Sequence, residues 1–339
     1  METDTRTRKT ILAGAGLFLL LIVSLAIGLS FGSTRISPLD LFRGTETASL
    51  AYDLILRVRL PRILLGALAG AALAGAGVAF QAILRNPLAD PYILGISGGA
   101  AVGALLPLAI VGGGIAHWSQ FRPATAFAGA VLATFLVIRL AGPQGRASGY
   151  PMLLIGWVAN SFFFSLILFM ETVLDLTELQ GILFWLVGSM SSPSWAALIP
   201  VALAVAAGLT WLFLISHRLN LLSLGEEEAA NLGVRVATVR LSGILAASLI
   251  TATVVSLTGM IGFLGLMVPH ICRIFLGSDH RILLPGAVLF GASFLVLADT
   301  LARVLAAPAE IPVGVITAMA GGPFFLWLYR AQRGTTRFE

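Results

Sequence analysis

The side chains able to do chemistry are few, and their types narrow the choice. Of 21 basic residues only Lys9 is a lysine. A P-loop needs a lysine after its glycines to hold the phosphates of ATP, and Lys9 follows Arg8 in a stretch without glycine. ATP binding by that route is excluded, as is a Schiff-base lysine at membrane depth. Cys272 is the single cysteine, so no intrachain disulfide and no cysteine cluster for zinc or iron–sulfur can form. His270 and His280 have only Asp279 nearby and no HExxH pattern; a structural role suits both better than metal binding. Paired catalytic residues are missing from the apolar runs, so no catalytic residue is expected. What remains is one arginine-rich stretch (Arg57, Arg59, Arg62), Arg303 beside Asp299, and the acidic run Glu226, Glu227, Glu228. Exposed arginines suit carboxylates on a partner, because their forked donors can pair bidentately.

These residues must be carried by elements that are mostly apolar. The chain has 339 residues, 58% hydrophobic and 11% charged, against about 25% charged in soluble domains. So little charge cannot coat a water-soluble globule, which argues against a soluble enzyme, a nucleic-acid binder and a disordered scaffold. With about 20 residues per crossing, the apolar runs give about ten transmembrane helices. They are Ile11–Phe31, Arg62–Ala82, Tyr92–Val111, Pro123–Ala141, Met152–Val173, Trp195–Ser216, Val236–Leu257, Ile261–Phe275, Ile282–Arg303 and Pro312–Tyr329. The runs do not alternate as the strands of a membrane barrel would, and helices satisfy their own backbone in lipid. Ile11–Phe31 is longer than a typical signal core, without a clear small-residue cleavage site, and reads as a retained first helix.

The expected fold is an all-α polytopic membrane protein forming a single domain over residues 1–339, since no loop is long enough to bury a core of its own. With both termini inside, 14 basic residues fall on the inner side and 7 on the outer side, the bias expected of cytoplasmic loops. That puts the arginine-rich stretch and Arg303 outside and the acidic run inside. In the second run Gly66, Gly70 and Ala74 recur at intervals of four, a spacing that lets helix backbones approach closely; this helix is expected to be central. Glycines at every third residue from Gly259 to Gly265, then Pro269, predict a short or broken helix, since proline removes a helical hydrogen bond. Ionisable residues are nearly absent from the span centres, whereas ion-coupled transporters need them on the path; transport driven from outside the membrane is favoured over a secondary transporter. In the Leu222–Val234 loop, Ser223 followed by Glu226 has the spacing of a capping box, with Gly233 ending the short helix.

Three segments together carry a family resemblance. They are Arg59-Leu-Pro-Arg62 with Gln81-Ala-Ile-Leu-Arg-Asn-Pro-Leu-Ala-Asp-Pro-Tyr-Ile-Leu-Gly95, then Leu222-Ser-Leu-Gly-Glu-Glu-Glu-Ala-Ala-Asn-Leu-Gly-Val234, and Gly262-Phe-Leu-Gly-Leu-Met-Val-Pro-His270 with the downstream Gly277–Arg281, Glu310–Gly314 and Gly321-Gly-Pro323. The chain resembles, from about Arg57 to Tyr329, the membrane permeases of type II ABC importers for iron–siderophores, haem and cobalamin. The resemblance implies a permease homodimer in the bacterial cytoplasmic membrane. It also implies two cytoplasmic ATPase subunits holding ATP and Mg, an external substrate-binding protein, and no cofactor in this chain. A coupling loop over about 217–240 would seat on the ATPase through Ser223, Leu224, Gly225, Glu226, Ala229, Leu232 and Gly233. Arg59, Arg62 and Arg303 would dock the binding protein, the alternatives being lipid headgroup anchoring or internal pairing with Asp53 or Asp299. An inner gate would involve Asn86 and Leu88, with a second layer at Gly149 and Tyr150. Trp157 departs from the small residues expected where the fifth helix lines the path. An iron chelate is the expected cargo, with cobalamin next.

Overall fold

The computed structural model describes residues 2–32, 49, 51–111, 118–142, 150–173 and 184–335. Among these residues the chain is all-α. The helices are α1 (Glu2–Ser30), α2 (Leu60–Ile83), α3 (Ile96–Val111), α4 (Trp118–Leu140), α5 (Tyr150–Val173), α6 (Trp195–Leu214), α7 (Ser216–Leu224), α8 (Glu226–Asn231), α9 (Val236–Thr258), α10 (Leu264–Leu276), α11 (His280–Leu305) and α12 (Val313–Thr335). A π-helical stretch, Leu54–Arg59, runs into the start of α2. Every apolar run of the sequence holds a helix. Seven helical spans are long and apolar enough to cross a membrane, and three shorter apolar helices accompany them. The shorter ones lie in α3, α10 and α12, so of the ten apolar helices among the described residues seven are long enough to be full crossings.

Helix α2 is the centre, as its small residues require. It is buried along nearly its whole length and packs against α9, α10 and α11. Backbones meet where side chains are missing: a Cβ at Gly70 would lie 2.2 Å from the carbonyl oxygen of Gly291 in α11, and one at Gly77 2.0 Å from that of Gly265 in α10. Small residues serve this purpose where lipid supplies no hydrophobic force between helices. Around this axis α3 packs closely on α4, and α1 lies along α11. The antiparallel run of α2 and α11 gives the bundle two polar ends. One carries Arg59, Arg62, Asp299 and Arg303; the other carries Asn86, the α7–α8 corner and Asp279.

The short helix forms, but proline is not what breaks the chain. After α9 the backbone leaves the helix at Gly259 and passes through Phe263, whose φ of 67° is left-handed, before α10 begins. Pro269 lies inside α10. Having no N–H, it leaves the carbonyl of Gly265, four residues back, without its helical donor. Gln81 of α2 supplies one, its Nε2 donating to Gly265 O at 3.3 Å, while Arg273 donates to Gln81 Oε1 at 2.9 Å. The close approach at Gly77 brings Gln81 within reach. Replacing Gly77 with Val should therefore lower the thermal midpoint of the detergent-purified protein, by an overpacking cost of about 1–3 kcal/mol. Gly262→Ala, where a Cβ meets nothing within 4 Å, should leave it unchanged.

Candidate functional site

A concavity lies along α5. A cavity of about 800 Å³ is lined by Ser97, Gly98 and Ala101 of α3, by α5 residues from Trp157 to Glu171, and by Leu186, Val187 and Met260. Trp157, Ser161, Phe164, Ser165, Leu168 and Glu171 recur at helical spacing and so share one face of α5. The Ser161 and Ser165 hydroxyls donate to carbonyls four residues back, leaving the wall mostly apolar. Trp157 is 69% exposed and stands on this wall. Its departure from a small residue therefore shapes the cavity. The described lining holds no Lys, Arg or His.

At the foot of α2 the chain turns through Asn86–Pro91. Asn86 Oδ1 accepts from the Leu88 N–H at 2.9 Å, and the Asn86 carbonyl accepts from the Ala89 N–H at 3.0 Å. This side-chain turn holds the Leu88 side chain outward and exposed, a geometry open to closure against a second surface. Asp90 Oδ1 accepts from the Tyr92 N–H at 2.8 Å. Burial pushes the Asp90 carboxyl up to about 6, against the opposing pull of that N–H. Gly149 lies outside the described residues, as does the Tyr150 side chain; Tyr150 is the first residue of α5.

The acidic loop forms two helices joined at Gly225, and the capping box does not form. Ser223 lies within α7 and donates to the Leu219 carbonyl at 2.9 Å. No side chain caps α8, whose N-cap is Gly225 with φ 152°, a conformation L side chains rarely adopt. Glu226 turns away from Ser223 and pairs with the buried Arg240 of α9. Gly233 ends α8 with a left-handed φ, its N–H donating to Ala230. Ala229 is buried, while Leu224 and Leu232 are 66% and 61% exposed on either side of the acidic turn. Asn220 of α7 donates to Asp279 Oδ1 at 2.7 Å and accepts from the His280 N–H at 2.8 Å, tying the corner to α11. The Arg281 guanidinium beside Asp279 holds its carboxyl well below the usual carboxylate range. His270 meets Phe324 edge-on.

At the opposite end the arginines expected on the surface are turned inward. Arg59 is 3% exposed and donates to the Leu29 carbonyl at 2.8 Å. Arg62 pairs with Asp299 at 2.9 Å and Glu310 at 2.7 Å. Arg303 pairs with Asp299 at 3.0 Å and donates to Phe31 O at 3.2 Å. The reason is Asp299: a carboxylate buried near the end of α11 demands cations, and the last carbonyls of α1 take the remaining donors. Asp299 and Arg303 stand four residues apart on one helix, a spacing that predicts pairing; Glu310 carries no such mark. Arg57 stays outside, paired with Asp53 in the open. Asp299→Asn would take the carboxylate from the buried Arg303 and leave Arg62 only Glu310, and should destabilise the folded protein by about 3–5 kcal/mol. Asp53→Asn breaks only an exposed pair and should shift the same thermal unfolding curve by less than about 1 kcal/mol.

The chain matches known proteins over nearly its whole length. The FecCD transport family matches residues 20–331. The hemin transport system permease HmuU of Yersinia pestis is 38% identical over 328 residues, covering 94% of this chain and 93% of HmuU. The cobalamin import permease BtuC of Halobacterium salinarum is 41% identical over 298 residues, covering 87% of this chain and 77% of BtuC. An ABC transporter of metal-chelate type, solved in an inward-facing conformation, aligns with a TM-score of 0.81 at 34% identity, covering 94% of this chain and 98% of the solved one. The protein is a multi-pass membrane protein, and it belongs to the FecCD transport family, whose members include ABC importer permeases.

Proposed function

We propose that the chain is the membrane subunit of an ATP-driven importer that passes an iron chelate, a siderophore complex or haem, from an external binding protein to the cytoplasm. In this reading two copies form a homodimer of about ten crossings each in the cytoplasmic membrane, with both termini inside. The 800 Å³ cavity along α5 is one half of the path, and the exposed Leu88 in its Asn86-anchored turn is the inner constriction. Two ATPase subunits, holding ATP and Mg, grip the α7–α8 corner; this chain performs no covalent chemistry and carries no cofactor of its own.

The observation that carries the reading is that corner. Two exposed leucines, Leu224 and Leu232, flank an acidic turn whose base is fixed to α9 by Glu226–Arg240 and to α11 through Asn220. Such a knob offers apolar contact to a partner and cannot move without moving two long helices. The family likeness, the relatives and the inward-facing solved structure support it. For docking at the other end, the inward-turned arginines leave Arg62 with the partly exposed Glu310 as the part a binding protein can reach. Arg59 and Arg303 hold the surface from beneath.

The cavity wall bears on the cargo. Its mostly apolar, aromatic lining without cations suits a large chelate and gives a small oxyanion no cationic partner, although a molybdate permease, MolB of Haemophilus influenzae, is 35% identical. Cobalamin is the second reading, favoured by the 41% identity to the BtuC relative. Leu224→Asp together with Leu232→Asp should reduce co-purification of the ATPase subunit by at least about tenfold, the effect of about 1.4 kcal/mol, while leaving the helical content of the permease intact. Undiminished association would contradict the corner's role.

A further inference from the structure

Non-helical backbone at membrane depth is tolerated only where it finds partners inside the protein, and here one side chain supplies several. The Tyr92 hydroxyl donates to the Ile261 carbonyl at 3.1 Å and accepts from the Ile261 N–H at 3.0 Å. It thus satisfies both polar groups of one residue in the break between α9 and α10. The backbone of Tyr92 is held as well: its carbonyl accepts from Asn160 Nδ2 at 3.1 Å, and its N–H donates to Asp90 at 2.8 Å. Tyr92 therefore joins three parts, one through its hydroxyl and two through its backbone. Asn160 stands on α5 in the cavity wall. Ile261 follows Met260, which lines the same cavity. Asp90 lies two residues beyond Leu88 in the turn at the foot of α2.

We propose that Tyr92 is the positioning residue that makes the cavity wall and the Leu88 turn move as one unit, so that a change at either is felt at the other. The inference rests on the transport reading above. The hydroxyl works by geometry: a rigid ring reaches across to a backbone that has no helix of its own. Without the hydroxyl, Ile261 would lose both partners, and the break would shift relative to α5 and the turn.

The test uses the complete importer with its ATPase subunits, carrying Leu88→Cys as a reporter for a membrane-impermeant maleimide. The native Cys272 is buried and serves as the unlabelled background. With Tyr92 present, ATP plus vanadate should change the labelling rate at Leu88→Cys by about fivefold or more, the lower end of a typical coupling between sites. In Tyr92→Phe that change should fall below about twofold while ATP hydrolysis continues, and the thermal midpoint should drop because Ile261 loses two buried hydrogen bonds. Asn160→Leu, which cuts the α5 link and keeps the ring, should do the same and decides the matter if Tyr92→Phe does not fold. A full nucleotide-dependent change in both variants would overturn the role of Tyr92. A parent that hydrolyses ATP with no change at Leu88→Cys would overturn the transport reading, and this inference with it.

Discussion

Every backbone polar group inside an apolar bundle must find its partner within the chain, because lipid offers none. Most of this protein meets that constraint with helices. The instructive places are those where it does not. Pro269 deprives Gly265 of its helical donor, and Gln81 on the neighbouring helix replaces it. The break before α10 exposes Ile261, and the Tyr92 hydroxyl covers both its groups. The Gly188 carbonyl, between α5 and α6, takes the N–H of Gly314 at the start of α12. Each repair is made across elements, so each irregularity is also a tie between parts of the fold.

Close packing makes those ties possible. Gln81 reaches Gly265 only because Gly77 lets α2 and α10 touch backbone to backbone. The same logic governs the charges. Asp299 draws Arg62 and Arg303 inward and, through the carbonyls of α1, fastens the first helix to the bundle. At the other end Arg240 and Asn220 fasten the acidic corner to α9 and α11. Because α11 runs from Asp279 at one end to Asp299 at the other, it joins the two polar ends by one rigid element.

Much of this was legible in the sequence. Hydrophobic run length located the helices, since a lipid-crossing segment has little freedom in composition. The Gly66–Ala74 spacing marked α2 as central, and the glycines before Pro269 marked a short helix. What misled were readings that treated a residue without its partner. Ser223 and Glu226 have capping spacing, but Gly225 between them adopts a backbone that ends α7, and Arg240, distant in sequence, outcompetes the cap. Arg59, Arg62 and Arg303 read as surface residues because arginine usually is. The spacing offers Asp299 to Arg303, but only the packing of α1 and α11 against α2 reveals that Arg62 shares it and that the carbonyls of α1 lie beneath. Tyr92 gave no warning, since its role depends on a break 169 residues away.

In this account the chain is a conduit whose two ends are mechanically joined and whose motive force comes from a partner at the Leu224–Leu232 corner. The most direct measurement is cargo uptake into proteoliposomes holding the purified permease, with and without its ATPase subunits and ATP, with haemin, a ferric siderophore and cobalamin each presented on the binding protein. The account predicts accumulation of one of these only when ATPase and ATP are both present. Accumulation by the permease alone, driven by an ion gradient, would contradict it.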